Sequence, residues 1–126
     1  MNSLDTNLIL RFLLRDVAHQ VSQAIRVITT SECYVTDSVF TETIFVLEKV
    51  YEIPRTRIAT LTKGFLSFVN LAHSSYLADV IDLFEKQQSL SIIDCYAAVE
   101  ARNFGNQLVT FDKRLLKYGG DHVVTP

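Results

Sequence analysis

Residues 92–112 read IIDCYAAVEARNFGNQLVTFD, and this stretch decides the fold class. Its first half is apolar almost all round, which predicts a buried helix rather than one with a wet face. Ala97, Ala98 and Ala101 are small enough to let that helix lie close against a sheet. Gly105 offers a helix stop, and QLVTFD reads as a short apolar strand ending in an aspartate. A buried helix feeding a short strand belongs to a parallel sheet covered on both faces.

The same alternation runs through the rest of the chain. Leu8 to Arg15 is helical in type, with Arg11 and Arg15 four apart, and the helix is expected to continue through VAHQVSQAIRVI. Cys33-Tyr34-Val35 is β-prone, and the TDS after it supplies a cap for a helix carrying Phe40, Ile44, Leu47 and Tyr51. Pro54 ends that helix. RTRIATLTKGFL gives another, FVNLA a brief strand, and YLADVIDLFEK repeats apolar residues at 77, 80, 81 and 84. The expected fold is a three-layer α/β/α domain with a short, mainly parallel sheet, formed by residues 1–126 as one unit. In such sheets ligands bind outside the carboxyl ends of the strands, and Asp5 and Asp112 both stand where a strand would be ending.

Composition narrows the function. The chain has 126 residues, 48% of them hydrophobic, enough to bury one core. No apolar run approaches the roughly 20 residues of a membrane span. Arg11 and Arg15 break the first hydrophobic stretch, so a secretory leader is not expected and a cytoplasmic protein is. A net charge of -2 lacks the basic footprint of a binder working through bulk electrostatics. Nucleic acid would have to be met through local Arg and Lys or through bound cations. Cys33 and Cys95 read as reduced, buried thiols.

Four acids need separate weighing. Asp5, before an apolar helix, fits an N-cap as well as it fits a ligand. Glu42 sits among Phe40, Ile44 and Phe45, on or near the edge of an inward-packing face, where a carboxylate needs a partner; a solvated face is the alternative reading. Asp94 completes a capping box with Ser91. Asp112 precedes Lys113, Arg114 and Lys117 and could simply pair with one of them. Gathered at one end of a sheet, four carboxylates would repel one another without counterions. Two divalent cations would neutralise them, and all-oxygen ligands select hard ions such as Mg²⁺ or Mn²⁺. His19, His73 and His122 lie outside these clusters and form no zinc spacing.

Four segments, LDTNLILRFLLRD, TETIFVLEKVYEIPRTRIA, IIDCYAAVEARNFG and LVTFDKRL, resemble in order and spacing the PIN-domain ribonucleases of the VapC toxin group. The likeness runs from Asp5 to about Lys117. It implies a small α/β/α nuclease, usually dimeric, whose clustered acids bind Mg²⁺ or Mn²⁺ and cleave RNA. It also implies a small cognate antitoxin that inserts a segment into or beside the active site. By position the family's four acids fall on Asp5, Glu42, Asp94 and Asp112, with Asp5 and Asp94 as the principal metal ligands. Thr6 and Asn7 match the polar pair after the first acid and Thr110 the hydroxyl residue before the last; Asn7 and Thr110 could orient a carboxylate or a metal-bound water, or equally serve as ordinary turn and cap residues. Ser91 and Ile92 stand where relatives often carry an acid and an aromatic, so no fifth carboxylate is expected. Three other readings compete. One is a PIN-like module that binds RNA or protein without cutting. Another is an aspartyl-phosphate phosphotransferase, disfavoured because Asn7 holds the place of its usual second aspartate. The last is a scaffold, which leaves Glu42 unexplained.

Overall fold

The computed structural model describes Met1–Pro126 and resolves two compact units, Met1–Ser74 and Ser75–Pro126. All strand pairing is parallel, as the alternation of elements predicts.

In the first unit, β1 (Asn2–Ser3), β2 (Cys33–Tyr34) and β3 (Leu71–Ala72) form a sheet in that order. Asn2 lies opposite Cys33, and Cys33 opposite Leu71. Parallel neighbours need crossover connections. These are α1 (Thr6–Leu14) with α2 (Ala18–Thr30), then α3 (Asp37–Lys49) with α4 (Arg55–Leu66). The one long helix expected from residue 8 onward is therefore two. Arg15 breaks it by adopting a left-handed conformation, φ 54°, while its N–H still bonds Arg11 O at 3.0 Å. That conformation costs a non-glycine residue energy. The Arg15 guanidinium lies 5.6 Å from the centre of the Phe12 ring, and Asp16 pairs with Arg11 Nε at 3.4 Å; both contacts help offset the cost.

Thr36 caps α3 by accepting the Val39 N–H at 3.2 Å, as its TDS signal predicts. Phe40, Ile44 and Leu47 are buried on one face of α3, whereas Tyr51 lies beyond the helix end and is exposed. Phe65 of α4 packs its ring 6.0 Å from that of Phe12. Cys33 and Cys95 are both buried and free, the state expected of them.

The second unit holds α5 (Leu77–Lys86), α6 (Ile92–Asn103), β4 (Leu108–Val109), α7 (Lys113–Tyr118) and β5 (Val123–Val124). Leu77, Val80, Ile81 and Phe84 are all completely buried, so the helical spacing read from the sequence marks the core face of α5. Complete burial of each such side chain contributes about 1.5–3 kcal/mol. The expectation for α6 needs correction. Ile92, Cys95, Ala98 and Val99 are buried, but Ile93 is 56% exposed, so the helix has an outer face. Gly105 takes φ 71° just beyond α6 and serves as the expected stop. Strand β5, pairing Leu108 with Val123, had no counterpart in the sequence reading. No helix is long and apolar enough to cross a membrane.

Candidate functional site

Asp5 occupies the N-cap position of α1, with extended backbone angles φ -92° and ψ 158°, yet its side chain makes no capping bond. The residue is exposed, and its carboxylate has neither a hydrogen-bond nor an ion-pair partner. Of the two roles left open for Asp5, capping is thus not the one it performs. Leu4 beside it is buried, and its N–H bonds Tyr34 O at 2.9 Å, so Asp5 is held at the end of β1 by backbone pairing.

Glu42 is exposed, on the outer side of α3 between buried Thr41 and Thr43. The expectation that it borders an inward-packing face is corrected, because the buried neighbours Phe40, Ile44 and Leu47 point the other way round the helix. The partner it was expected to need is nevertheless present. Thr6, a buried residue opening α1, donates its hydroxyl to Glu42 Oε2 at 2.9 Å. This bond ties the start of α1 to the middle of α3 and brings Glu42 to the residue next to Asp5. Sequence reasoning placed Thr6 only in a polar pair; a contact across 36 positions leaves no local signal.

In the second unit, Asp94 makes the capping box read from the sequence. Its Oδ2 accepts the Ser91 N–H at 3.2 Å, and Ser91 Oγ accepts the Asp94 N–H at 3.1 Å. Asp112 caps α7, its Oδ1 accepting the N–H groups of Arg114 at 2.8 Å and Leu115 at 3.3 Å. Arg114 Nε is 3.9 Å from the same oxygen, the neighbouring-cation pair foreseen for this residue. Thr110 Oγ1 accepts the Asp112 N–H at 3.0 Å and so fixes the turn that presents the carboxylate. Asn7 is exposed and its amide makes no hydrogen bond within the protein.

Each of the four acids therefore keeps uncommitted oxygen: both atoms of Asp5, Oε1 of Glu42, Oδ1 of Asp94 and Oδ2 of Asp112. Carboxylate oxygens are the donor type that hard divalent cations take. No three or more His, Cys, Asp or Glu side chains form a ready-made metal-binding group. The donor chemistry fits such an ion; a preassembled cage does not exist.

Among curated proteins and among solved structures, none matches the chain. Comparison with protein families matches residues 3–121 to the PIN domain, a span that includes all four acids. PIN domains are commonly nucleases, and those nucleases typically use divalent metals. With seven helices, short parallel sheets and a match over nearly its whole length, the chain belongs to the PIN domain family and has its α/β/α fold class.

Proposed function

We propose that the chain is a Mg²⁺- or Mn²⁺-dependent endoribonuclease that hydrolyses RNA phosphodiester bonds, acting as the toxin of a VapC-type toxin–antitoxin pair. In this reading residues 1–126 work as one nuclease domain in the cytoplasm, as a homodimer restrained by a cognate antitoxin. The observation that carries it is the state of Asp5. A carboxylate stands at a helix N-cap position, does not cap, and has no other partner. A side chain of that kind has no structural task, and the three other family acids also retain free oxygen.

Asp5 and Asp94 would be the principal ligands of the ion, with Glu42 and Asp112 completing its shell directly or through water. A bound divalent cation supplies a water of lowered pKa and neutralises charge on the phosphodiester. The protein's own contribution is positioning. Thr6 restrains Glu42, Ser91 restrains Asp94, and Thr110 with the α7 N–H groups restrains Asp112. Each restraint uses one carboxylate oxygen at most and leaves the other to face a ligand. Phe111, immediately before Asp112 and 86% exposed, offers an open ring on which a base of single-stranded RNA can stack. Arg11, Arg15, Lys113 and Arg114 can contact the backbone, which positions a strand without reading it.

The test is cleavage of single-stranded and structured RNA with and without EDTA. Cleavage is expected in Mg²⁺ or Mn²⁺, leaving 5′-phosphate and 3′-hydroxyl ends, and none in EDTA. Undiminished cleavage in EDTA rules the scheme out. RNA binding with no cleavage under any metal points instead to a silent PIN-like binding module. Growth arrest on expression, relieved by the neighbouring reading frame, would establish the toxin role.

A further inference from the structure

Between α1 and α2 lies a groove of about 270 Å³ lined by Asn7, Leu8, Arg11, Gln20, Gln23, Ala24 and Val27. Its make-up follows from helical spacing. Gln20, Gln23, Ala24 and Val27 fall at i, i+3, i+4 and i+7 on α2, and Asn7 and Arg11 lie four apart on α1. The result is an apolar floor of Leu8, Ala24 and Val27 beneath a rim of three amides and a guanidinium.

The amides of the rim are uncommitted. The side-chain amides of Asn7, Gln20 and Gln23 make no hydrogen bond within the protein. Arg11 donates Nη2 to Tyr51 Oη at 3.0 Å and forms an ion pair with Asp16, but Nη1 has no partner. Arg11 Nε is itself buried without a hydrogen bond, since 3.4 Å to Asp16 is an ion pair of poor geometry. No carboxylate lines the groove. Asn7, one of its lining residues, stands two residues along the chain from Asp5.

We propose that this groove seats one base of the RNA strand beside the bond to be cut, with Gln20 and Gln23 hydrogen-bonding the base edge and Arg11 holding it in place. The proposal rests on the nuclease reading above and adds a specificity determinant to it. Amides present a donor and an acceptor together, the pattern that reads a base edge in bidentate fashion. Sequence-specific RNA recognition targets unpaired bases through such edges, with apolar or aromatic surface against the ring. The groove falls just below the roughly 300–1,000 Å³ of pockets for drug-sized ligands, a size for one base. An antitoxin segment seated here in place of RNA is one outcome of the test.

The test separates binding from cutting. The full-length Asp94→Asn protein is titrated with short single-stranded RNAs that differ in one base, by fluorescence anisotropy, with and without Gln20→Ala/Gln23→Ala. Cleavage sites of the protein with native Asp94 and of the Gln20→Ala/Gln23→Ala variant are mapped in parallel. Both glutamines are exposed, so the fold should survive, and thermal melting checks that it does. The expected result is a fall of about tenfold to a hundredfold in affinity for the preferred base, with base preference flattened in binding and in cut sites. Unchanged preference overturns the proposal, as does an equal loss for every base, which would mean a backbone contact. Unchanged RNA binding with lost hold on the antitoxin also overturns it. Base-selective, glutamine-dependent binding without any cleavage by the protein with native Asp94 upholds the groove and sinks the nuclease reading alone.

Discussion

Asp5→Asn is expected to abolish RNA cleavage and leave the melting temperature where it is. The two halves of this expectation come from one observation. The Asp5 carboxylate is exposed and makes no bond, so replacing one oxygen by an amide nitrogen disturbs no contact. Surface changes of that kind stay within about 0.5 kcal/mol, and Asn ranks with Asp at helix N-caps. As a metal ligand, by contrast, a neutral amide cannot replace the charge of a carboxylate. RNA cleavage assays with denaturant unfolding as the control separate the effects. Retained cleavage would remove Asp5 from the site. Lost cleavage together with lost stability would make its role structural. Asp112→Ala should not separate so cleanly, because Asp112 also caps α7 and the cap is worth about 0.5–2 kcal/mol.

The largest stability effect is expected at Glu48. Its Oε2 lies 2.6 Å from Arg55 Nε, and the two side chains are 13% and 6% exposed. Glu48→Ala takes the 2.6 Å carboxylate partner away from a buried guanidinium at the first position of α4, which keeps a further interaction. Removing one member of a buried pair typically costs about 3–5 kcal/mol, a large share of the roughly 5–15 kcal/mol that holds a domain together. Lys49 Nζ, 3.7 Å from the other Glu48 oxygen, is exposed and contributes little. Glu52→Ala, also exposed, is the matched control and should shift stability by less than about 0.5 kcal/mol. Urea unfolding of Glu48→Ala with a loss below 1 kcal/mol, on the order of a surface pair, would show that the ion pair does not hold α3 to α4.

Helices with a strong apolar stripe were legible in advance. Residues 77, 80, 81 and 84 mark α5 without ambiguity, and Ser91 with Asp94 announces the start of α6. Strands were harder, because each has two residues. The period-two signal needs about four to eight residues to show itself, so Val123–Val124 passes unnoticed. The break between α1 and α2 was hidden because it uses Arg15, with no glycine or proline to announce it. At the site, the identities of the four acids come from order and spacing along the chain. Their individual states do not. Which carboxylate caps, which is held by a threonine and which is free depends on partners such as Thr6, distant in sequence from Glu42.

The most direct measurement of the central claim is Mn²⁺ titration by calorimetry of the protein and its single Asp5→Asn and Asp94→Asn variants. One divalent ion held jointly by these two carboxylates predicts binding to the unaltered protein and its loss in either variant. Mn²⁺ affinity that is the same in all three proteins would contradict a shared metal centre, and with it the nuclease.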